Sequence, residues 1–266
     1  MPINDLISLS RDDWLCEMME RDVFKVVFSE NKAGPETSLK SLRYELSDLF
    51  SMSPDAFYYA RIPSGEQFQL AYMQDLGFNV VDLNVTLGRD SKSQFSVRSD
   101  SFVITQWEDS DDNEDILDIA LKSFKYSRFH LDPLIPNALA NYIKREWIRN
   151  YLKGNRGECL LVATLEGQPV GFLAVLTDVN LGQEIGIIDL IAVGGRHQNR
   201  GIGKALVARF IELYAGKGFN LKVGTQAANI ASINLYQKLG FHIEETSYNL
   251  HAHYRNKRLL HSATAI

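Results

Sequence analysis

The fold is decided by the stretch Ile185-Gly-Ile-Ile-Asp-Leu-Ile-Ala-Val193-Gly-Gly-Arg-His-Gln198-Asn-Arg-Gly201-Ile-Gly203-Lys-Ala-Leu206. Its first half is apolar and rich in β-branched residues, which predicts a buried strand. From Gly203 to Ala215 apolar residues recur at helical spacing, which predicts an amphipathic helix. The glycine-rich turn leads into the helix start, where unpaired N–H groups and the helix dipole favour an anion. The stretch therefore predicts a strand, a phosphate-binding turn and a helix.

The spacing of the glycines decides which kind of phosphate loop this is. A Walker loop needs a hydroxyl residue after its lysine, and here Ala205 follows Lys204. A dinucleotide fold needs a third glycine where this chain has Leu206. The pattern that remains is Gln198-x-x-Gly201-x-Gly203, which by itself is also compatible with an ordinary strand–turn–helix.

Composition places the chain among globular proteins and disfavours several classes. Its 266 residues are 45% hydrophobic and 23% charged, enough for a sizeable core and for two domains. A net charge of -5 disfavours a nucleic-acid partner. We find no apolar run typical of a signal peptide or of a membrane span, so we expect a cytoplasmic protein without a membrane partner.

Cysteines and histidines give little indication of a metal. Cys16 and Cys159 are expected to be reduced thiols, although a disulfide between them is the alternative. No His/Cys group has metal-ligand spacing, so no metal is expected. His251 and His253 share one face of a predicted strand, and we interpret them as surface histidines rather than metal ligands.

The order of predicted elements divides the chain into two domains. Residues 1–97 predict a helical lead-in over residues 1–22 and then a small β-α-β-α-β domain, including a helix over residues 37–49. A polar linker over residues 88–100 follows. Residues 98–266 predict a strand, two helices, a hairpin, the central strand, a helix, a strand, a helix and a final strand pair over residues 241–254.

A short motif occurs in both domains. Leu76-Gly77-Phe78 recurs as Leu239-Gly240-Phe241, and both follow a predicted helix. The first domain is therefore either a degenerate half-repeat of the second or a small fold that ends a helix in the same common way. It lacks the glycine loop, so we expect it to shape a substrate pocket or an interface.

A second motif gives the chain its family resemblance. Asn229-Ile-Ala-Ser232-Ile-Asn-Leu-Tyr236-Gln-Lys-Leu-Gly240-Phe241 follows the glycine loop at a distance that leaves room for one helix and one strand. The two motifs and the element order from Phe102 to Tyr254 resemble the GNAT superfamily of N-acetyltransferases. The resemblance implies an α/β fold with a mixed sheet, and an acetyl-CoA-dependent acyltransferase that needs no metal.

Shorter segments resemble a narrower group, the bacterial TDP-fucosamine acetyltransferases and their relatives. They are Ala60-Arg-Ile-Pro63, Leu76-Gly-Phe-x-Val-Val-Asp82, Ser127-Arg-Phe-His130-x-Asp132 and Val223-Gly-Thr-Gln226. Those enzymes carry a small domain ahead of the GNAT domain and acetylate the amine of a nucleotide-linked deoxysugar. The resemblance implies such an acceptor here.

The GNAT resemblance also implies which residues hold the cofactor. The strand edge around Leu190, Ile191 and Val193 would pair with the extended pantetheine arm, and the N–H of Ile191 would donate to the thioester carbonyl. Tyr236 would protonate the leaving thiolate, unless it is only a packed core residue. The remaining cofactor-binding candidates are Gln198, Asn199, Arg200, Gly201, Ile202, Gly203, Lys204 and Asn229, the last of which is alternatively only a helix cap.

The general base and the acceptor contacts are less determined. Asp189 has the parity of Ile191 and Val193, so the three are expected on one face of the strand, with Asp189 either as the base or as a structural partner of an Arg or His. Glu184, His251 and His253 are weaker candidates for the base. Arg128 and His130 are the candidates for the acceptor's phosphates or sugar, and an exposed loop arginine is the alternative for Arg128.

The sequence is compatible with three functions. The first is acetylation of a small primary amine, in particular a nucleotide-linked amino-deoxysugar. The second is acetylation of a peptide, an amino acid or a drug-like amine. The third is a non-catalytic acyl-CoA sensor, which would have no use for the hydroxyl of Tyr236. A homodimer is left open.

Overall fold

The computed structural model describes residues 7–28, 53–91, 102–108 and 113–260. The predicted helix over residues 37–49 and the predicted domain boundary after residue 97 lie outside these residues. The chain divides into two compact units. The first unit comprises Met1–Asn84, Leu131–Leu139 and Thr246–Ile266, and the second unit comprises Val85–His130 and Ala140–Glu245.

The second unit is built on strands that pair in the order β9-β8-β7-β6-β5. Strands β5 to β8 are antiparallel, and β9 runs parallel to β8. The hairpin between β6 and β7 turns at Glu166 and Gly167, both at positive φ, as a type I′ turn requires. The strands are β5 Val103–Gln106, β6 Cys159–Leu165, β7 Gln168–Asn180, β8 Gln183–Val193 and β9 Asn220–Gln226.

Helices cover both faces of these strands. One face packs against α5 and α6 in a core that includes Phe210 and Tyr236, and the other packs against α3 and α4 in a core that includes Ile148 and Phe172. Both faces are buried, which explains the near-continuous apolar sequence of β7 and β8. The helices are α3 Glu114–Ser123, α4 Asn137–Leu152, α5 Ile202–Ala215 and α6 Ile230–Lys238.

The first unit has its own sheet and core. Its strands pair in the order β1-β2-β3-β10, and β11 lies beside β10. Helix α1 (Asp13–Met19) joins β1 (Ile7–Arg11) to β2 (Asp22–Phe28). The remaining elements are β3 Ala56–Pro63, α2 Gln67–Asp75, β4 Asn79–Arg89, β10 His242–Arg255 and β11 Arg258–Leu260. Across the described residues, no helix is both long and apolar enough to cross a membrane.

Three predicted elements need correction. The lead-in over residues 1–22 is not wholly helical, because Ile7–Arg11 pairs with β2 as a strand. The predicted strand pair over residues 241–254 is one long strand, and its hairpin partner begins only at Arg258. The predicted linker starts too early, because β4 continues to Arg89.

The repeated motif extends to a repeated β-α-β segment. In both segments a nine-residue helix ends before a glycine at positive φ, Gly77 at 92° and Gly240 at 84°. The N–H after each glycine donates back to the helix, from Phe78 to the carbonyl of Met73 and from Phe241 to that of Tyr236. Corresponding boundaries have one constant spacing along the chain: Pro63 and Gln226, Gln67 and Ile230, Asp75 and Lys238, Asn79 and His242.

Candidate active site

The central feature is an edge of β8 that opens beside β9. The parallel ladder ends at the pair Ile188 and Val223, although both strands continue beyond it. The N–H of Gly194 donates to the carbonyl of Val170 on β7, at 2.9 Å. Because N–H groups alternate in direction along a strand, those of Ile191 and Val193 point to the opposite, open edge. An extended ligand can therefore add to β8 as a further strand.

A β-bulge at Asp189 changes the predicted parity of β8. Ala174 of β7 pairs with Leu190, and the next residue, Val175, pairs with Ile188, so Asp189 is an extra residue. Ile188 and Ile191 pack in the core beneath α5, whereas Leu190 and Ala192 pack towards α3 and α4. The side chain of Asp189 lies on the α4 face. The prediction that Asp189 shares a face with Ile191 and Val193 is wrong.

Asp189 is held by three donors on that face. Its Oδ2 atom accepts hydrogen bonds from Trp147 Nε1 at 2.8 Å, from the Tyr151 hydroxyl at 2.8 Å and from Arg156 Nε at 2.9 Å. Burial, and then the charge and hydrogen bond of Asp189, raise the pKa of Tyr151 far above that of a free phenol. Asp189 is therefore an arginine partner, one of the two roles that its sequence position leaves open.

The glycine loop forms an open helix N-terminus. The chain passes through a 3₁₀ turn at Gly195–His197, and Asn199 and Gly201 have positive φ values of 60° and 86°. Gly201 is the N-cap of α5 and has no side chain with which to cap the first N–H groups. At Gly203 an added Cβ would meet only ordinary contacts, at 3.7 Å or more. Packing within the protein therefore does not require this glycine, whereas a ligand lying on the loop would.

The charges on the loop suit an anion. Arg196, Arg200 and Lys204 are exposed, and no acidic residue lies between Val193 and Lys204. Gln198 folds back and donates from Nε2 to the carbonyl of Val193, at 3.2 Å. Ile202 is buried in the core beneath α5, so it anchors the loop.

Tyr236 and Asn229 lie at the two ends of α6. Tyr236 is 2% exposed and packs with Phe241, and burial alone raises the pKa of its hydroxyl. Asn229 caps the helix: its Oδ1 accepts the Ser232 N–H at 3.3 Å, and its Nδ2 donates to Thr225 Oγ1 at 3.2 Å. This is the capping role that the sequence left as the alternative for Asn229.

Arg128 and His130 are fixed by their neighbours. The guanidinium of Arg128 lies 4.5 Å from the centroid of the Phe129 ring. His130 Nδ1 lies 2.6 Å from Ser127 Oγ, and its Nε2 lies 2.8 Å from Asn141 Oδ1. Burial and the nearby Lys144 lower the pKa of His130, although the bond to Asn141 opposes them. His130 is therefore held by hydrogen bonds at both ring nitrogens, in surroundings that lower its pKa.

Lys144 of α4 is a further polar residue of this face that the sequence analysis does not single out. Its side chain is buried, and its Nζ lies 4.6 Å, 5.3 Å and 5.9 Å from the ring centroids of Trp147, Phe124 and Phe129. The signal is nevertheless present in the sequence. Lys144 stands at helical spacing within the apolar stripe formed by Ala140, Ile143, Trp147, Ile148 and Tyr151.

The first unit contains a second buried polar group. His251 Nδ1 and His253 Nε2 lie 2.6 Å and 2.7 Å from Asp132 Oδ2, and all three residues are at most 3% exposed. They line a cavity of about 340 Å³ with Phe78 and Pro133. The interpretation of His251 and His253 as surface histidines is wrong, because β10 is buried on the face that carries them.

The three donor atoms lie close enough together to suggest a metal site. The contact from Arg21 to His253 argues against one. Arginine only donates, so the hydrogen bond from Arg21 Nη2 to His253 Nδ1 at 3.1 Å leaves the ring proton on Nε2, the nitrogen that faces Asp132. That nitrogen then has no lone pair for a metal. The group fits a chain of hydrogen bonds better than it fits a cation.

Comparison with known proteins identifies the family. Residues 114–241 match the model of the Acetyltransferase (GNAT) family. These residues, which contain the glycine loop and α6, therefore form a GNAT acetyltransferase domain. This confirms the predicted α/β GNAT fold and the predicted acyltransferase.

Three similar proteins extend the comparison. The spore coat polysaccharide biosynthesis protein SpsD of Bacillus subtilis is 28% identical over 240 residues, which cover 90% of this chain and 80% of that protein. N-acetylaspartate synthetase of Xenopus tropicalis is 32% identical over 97 residues, 35% of this chain and 34% of that protein. A tandem GNAT protein from the clavulanic acid biosynthesis pathway has the same fold, with a TM-score of 0.58 and 11% identity over 87% of this chain and 75% of that chain.

Proposed function

We propose that this protein transfers the acetyl group of acetyl-CoA to the primary amine of a sugar, in particular a nucleotide-linked amino-deoxysugar. The observation that carries the proposal is the similarity to a polysaccharide biosynthesis protein over 90% of this chain, well beyond the GNAT family match. The segments that resemble TDP-fucosamine acetyltransferases support the same acceptor. They lie in both units, for example at Ala60–Pro63 and at Ser127–Asp132.

The glycine loop and the open edge of β8 would hold acetyl-CoA. The N–H groups at the start of α5 would bind the pyrophosphate, supported by the positive charges of Arg200 and Lys204. The N–H groups of Ile191 and Val193 would pair with the pantetheine amides. The bulge at Asp189 supports this arrangement, because it ends regular pairing where β8 leaves β9.

Two groups of the chain would stabilise the transition state. The N–H of Ile191 would donate to the thioester oxygen as negative charge develops on it. Tyr236 would give its proton to the leaving thiolate. Its raised pKa keeps the phenol protonated until the thiolate forms, and the same apolar surroundings would raise the pKa of the thiol.

The face of the second unit that carries α4 supports a sugar acceptor with phosphates. Arg128 stacks on Phe129, and Arg156 lies 4.6 Å from the centroid of the Trp147 ring. Aromatic rings favour the apolar face of a sugar or a base, and guanidinium groups are well suited to phosphate oxygens. Together they provide what an anionic, ring-containing acceptor would need.

We infer that the first unit is a degenerate half of the same fold. The helix and strand boundaries of its segment β3-α2-β4 correspond one to one with those of β9-α6-β10. The similarity to a tandem GNAT protein supports a duplicated origin. Met73 stands at the place of Tyr236, and Glu66 at the place of Asn229. This half lacks the group that would protonate a thiolate, so we assign it no acetyl transfer of its own.

Thiol release from acetyl-CoA, measured with a panel of amines, tests the proposal. The panel contains TDP-amino-deoxysugars, free amino sugars, aspartate and other amino acids, and a peptide. Turnover confined to the nucleotide sugars is the expected result. Turnover with amino acids alone would overturn the sugar assignment and favour an acceptor like that of N-acetylaspartate synthetase. Acetyl-CoA binding without turnover of any amine would favour the sensor.

A further inference from the structure

Lys144 places an amine in a buried, aromatic environment. It is 7% exposed, and its Nζ is surrounded by the rings of Phe124, Phe129 and Trp147. Among the described residues no carboxylate lies within 4.0 Å of this Nζ. A buried ammonium in this position loses hydration that aromatic rings only partly replace.

The charges that face Lys144 come from three neighbouring segments. They are Arg128 and His130 of the loop before α4, Arg156 of the loop after it, and Asp189 of β8. Burial lowers the pKa of Lys144 most strongly; Asp189 opposes this effect, Arg128 and Arg156 add to it, and the result is about 8. Asp189 cannot compensate fully, since its Oδ2 already accepts three other hydrogen bonds. The neutral amine of Lys144 is therefore accessible near physiological pH.

Lys144 is connected through its neighbours to both ends of the open segment of β8. At one end of this edge Trp147 contacts both Lys144 and Asp189. At the other end Ser123 Oγ donates to the Val193 carbonyl at 3.4 Å, and the next residue, Phe124, contacts Lys144. The Lys144 side chain thus contacts Trp147 and Phe124, which stand at the two ends of the segment that contains Ile191.

We propose that Lys144 is the catalytic base that takes a proton from the ammonium group of the acceptor. The proposal rests on the proposed acetyl transfer and adds the residue that this reaction still lacks. Only a neutral amine can attack a thioester, and an amino sugar reaches the enzyme mainly as an ammonium ion. Among the other candidates in the second unit, Asp189 is engaged by its three donors and His130 by Ser127 and Asn141. Glu184 is exposed at the start of β8, seven residues before Ile191.

Every proton that moves in the proposed reaction has a donor and an acceptor. The acceptor ammonium gives one proton to the neutral Nζ of Lys144, which becomes an ammonium. The freed lone pair forms the C–N bond at the carbonyl carbon, and the C–S bond breaks with its electron pair on sulfur. Tyr236 gives its proton to that sulfur and regains one from the nitrogen of the new amide. Lys144 then releases its proton to solvent, so one proton is released per turnover.

The first test needs no substrate. Protein labelled with ¹³C at the lysine ε-carbons is titrated by NMR, and the resonance absent from Lys144→Arg identifies Lys144. We expect a midpoint near pH 8 for Lys144, well below the ordinary lysine value of about 10.4. A midpoint at or above 10 would overturn the proposal whatever the acceptor is.

The second test uses the pH dependence of kcat with the amine that the panel identifies. Lys144→Arg keeps the positive charge but cannot lose its proton, and Lys144→Met removes the charge. Both should lower kcat at least about 100-fold and leave the Kd for acetyl-CoA unchanged. The matched control is Lys122→Arg, because Lys122 is exposed on α3 and paired with Asp118.

The two Lys144 variants test the role of Lys144 as a base separately from the identity of the acceptor. Wild-type activity confined to other amines would reject the sugar acceptor but still allow the comparison of the variants. An active Lys144→Arg with a wild-type pH profile would show that Lys144 supplies only charge or packing, and would overturn its role as a base. If acetyl-CoA binding is retained in both variants, loss of the fold does not explain the loss of kcat.

Discussion

Arg156 Nε donates to Asp189 Oδ2 at 2.9 Å, and this ion pair fixes the bulged residue of β8 on the face that carries Lys144. Asp189 is thereby linked to Lys144 through its charge rather than through a hydrogen bond. Asp189, which the sequence suggested as a base, instead raises the pKa of Lys144 on the same face of the sheet.

Asp189→Asn should change the pH dependence of the reaction. Asp189 raises the pKa of Lys144, so its loss should move that pKa below about 8 and shift the acid limb of kcat to lower pH. The free energy of unfolding should fall by about 1–2 kcal/mol, a modest loss because the Arg156 side chain is 36% exposed. Kinetics from pH 6 to 9 and urea denaturation measure both effects. Glu184→Gln, at an exposed position of β8, is the control, and a loss of kcat at every pH would return the base role to Asp189.

Gly203→Ala should separate stability from cofactor binding. Alanine at this position meets only ordinary contacts and favours the helix, so the free energy of unfolding should be unchanged or rise by up to about 1 kcal/mol. The new methyl group should keep the pyrophosphate from the loop and raise the Kd for acetyl-CoA at least about tenfold. Calorimetry measures the Kd for acetyl-CoA and thermal denaturation measures the stability, with Gly65→Ala as the control. An unchanged Kd would contradict the assignment of the loop.

Tyr236→Phe should lower kcat about 100-fold and leave the Kd for acetyl-CoA unchanged, because only the proton donor is lost. Stability should change by less than about 1 kcal/mol, since among the described residues no hydrogen bond to the Tyr236 hydroxyl is broken. Tyr214→Phe is the matched control, because Tyr214 is buried in the same core and contacts Cys159. Equal kcat values for the two variants would remove Tyr236 from the mechanism.

Asp132→Asn should weaken the first unit in a pH-dependent way. Burial opposes ionisation of Asp132, but the hydrogen bonds from His251 and His253 outweigh it and lower the pKa of the carboxyl group below its ordinary value. The stabilisation is therefore present above about pH 4, the pKa in the unfolded chain, and is lost as the pH falls below it. The variant should be less stable by about 2 kcal/mol at pH 7, and its stability should fall less steeply than that of the wild type as the pH is lowered. Urea denaturation from pH 2 to 7 tests this, with the exposed Asp75→Asn as the control.

Local sequence determined most of the elements and the loop. The β-branched run before Val193, the glycines at 201 and 203 and the apolar stripe of α5 specify strand, turn and helix through short-range spacing alone. The positive φ of Gly77 and Gly240 likewise follows from their place after a helix. Motif spacing then led to the family, which the comparison confirmed.

Tertiary structure determined the face of the strand or helix on which each side chain of the site lies, and the residues that it contacts. The bulge at Asp189 reverses the parity of β8, and a bulge depends on pairing with β7, which periodicity cannot report. The burial of His251 and His253 depends on Asp132, which is remote in sequence. The same holds for Lys144: the sequence places it in an apolar stripe, but only the packing of Phe124, Phe129 and Trp147 around it, with Arg128 and Arg156 nearby, determines its proton affinity. Short-range patterns specify elements, whereas charge and burial arise from residues that meet only when the chain has folded.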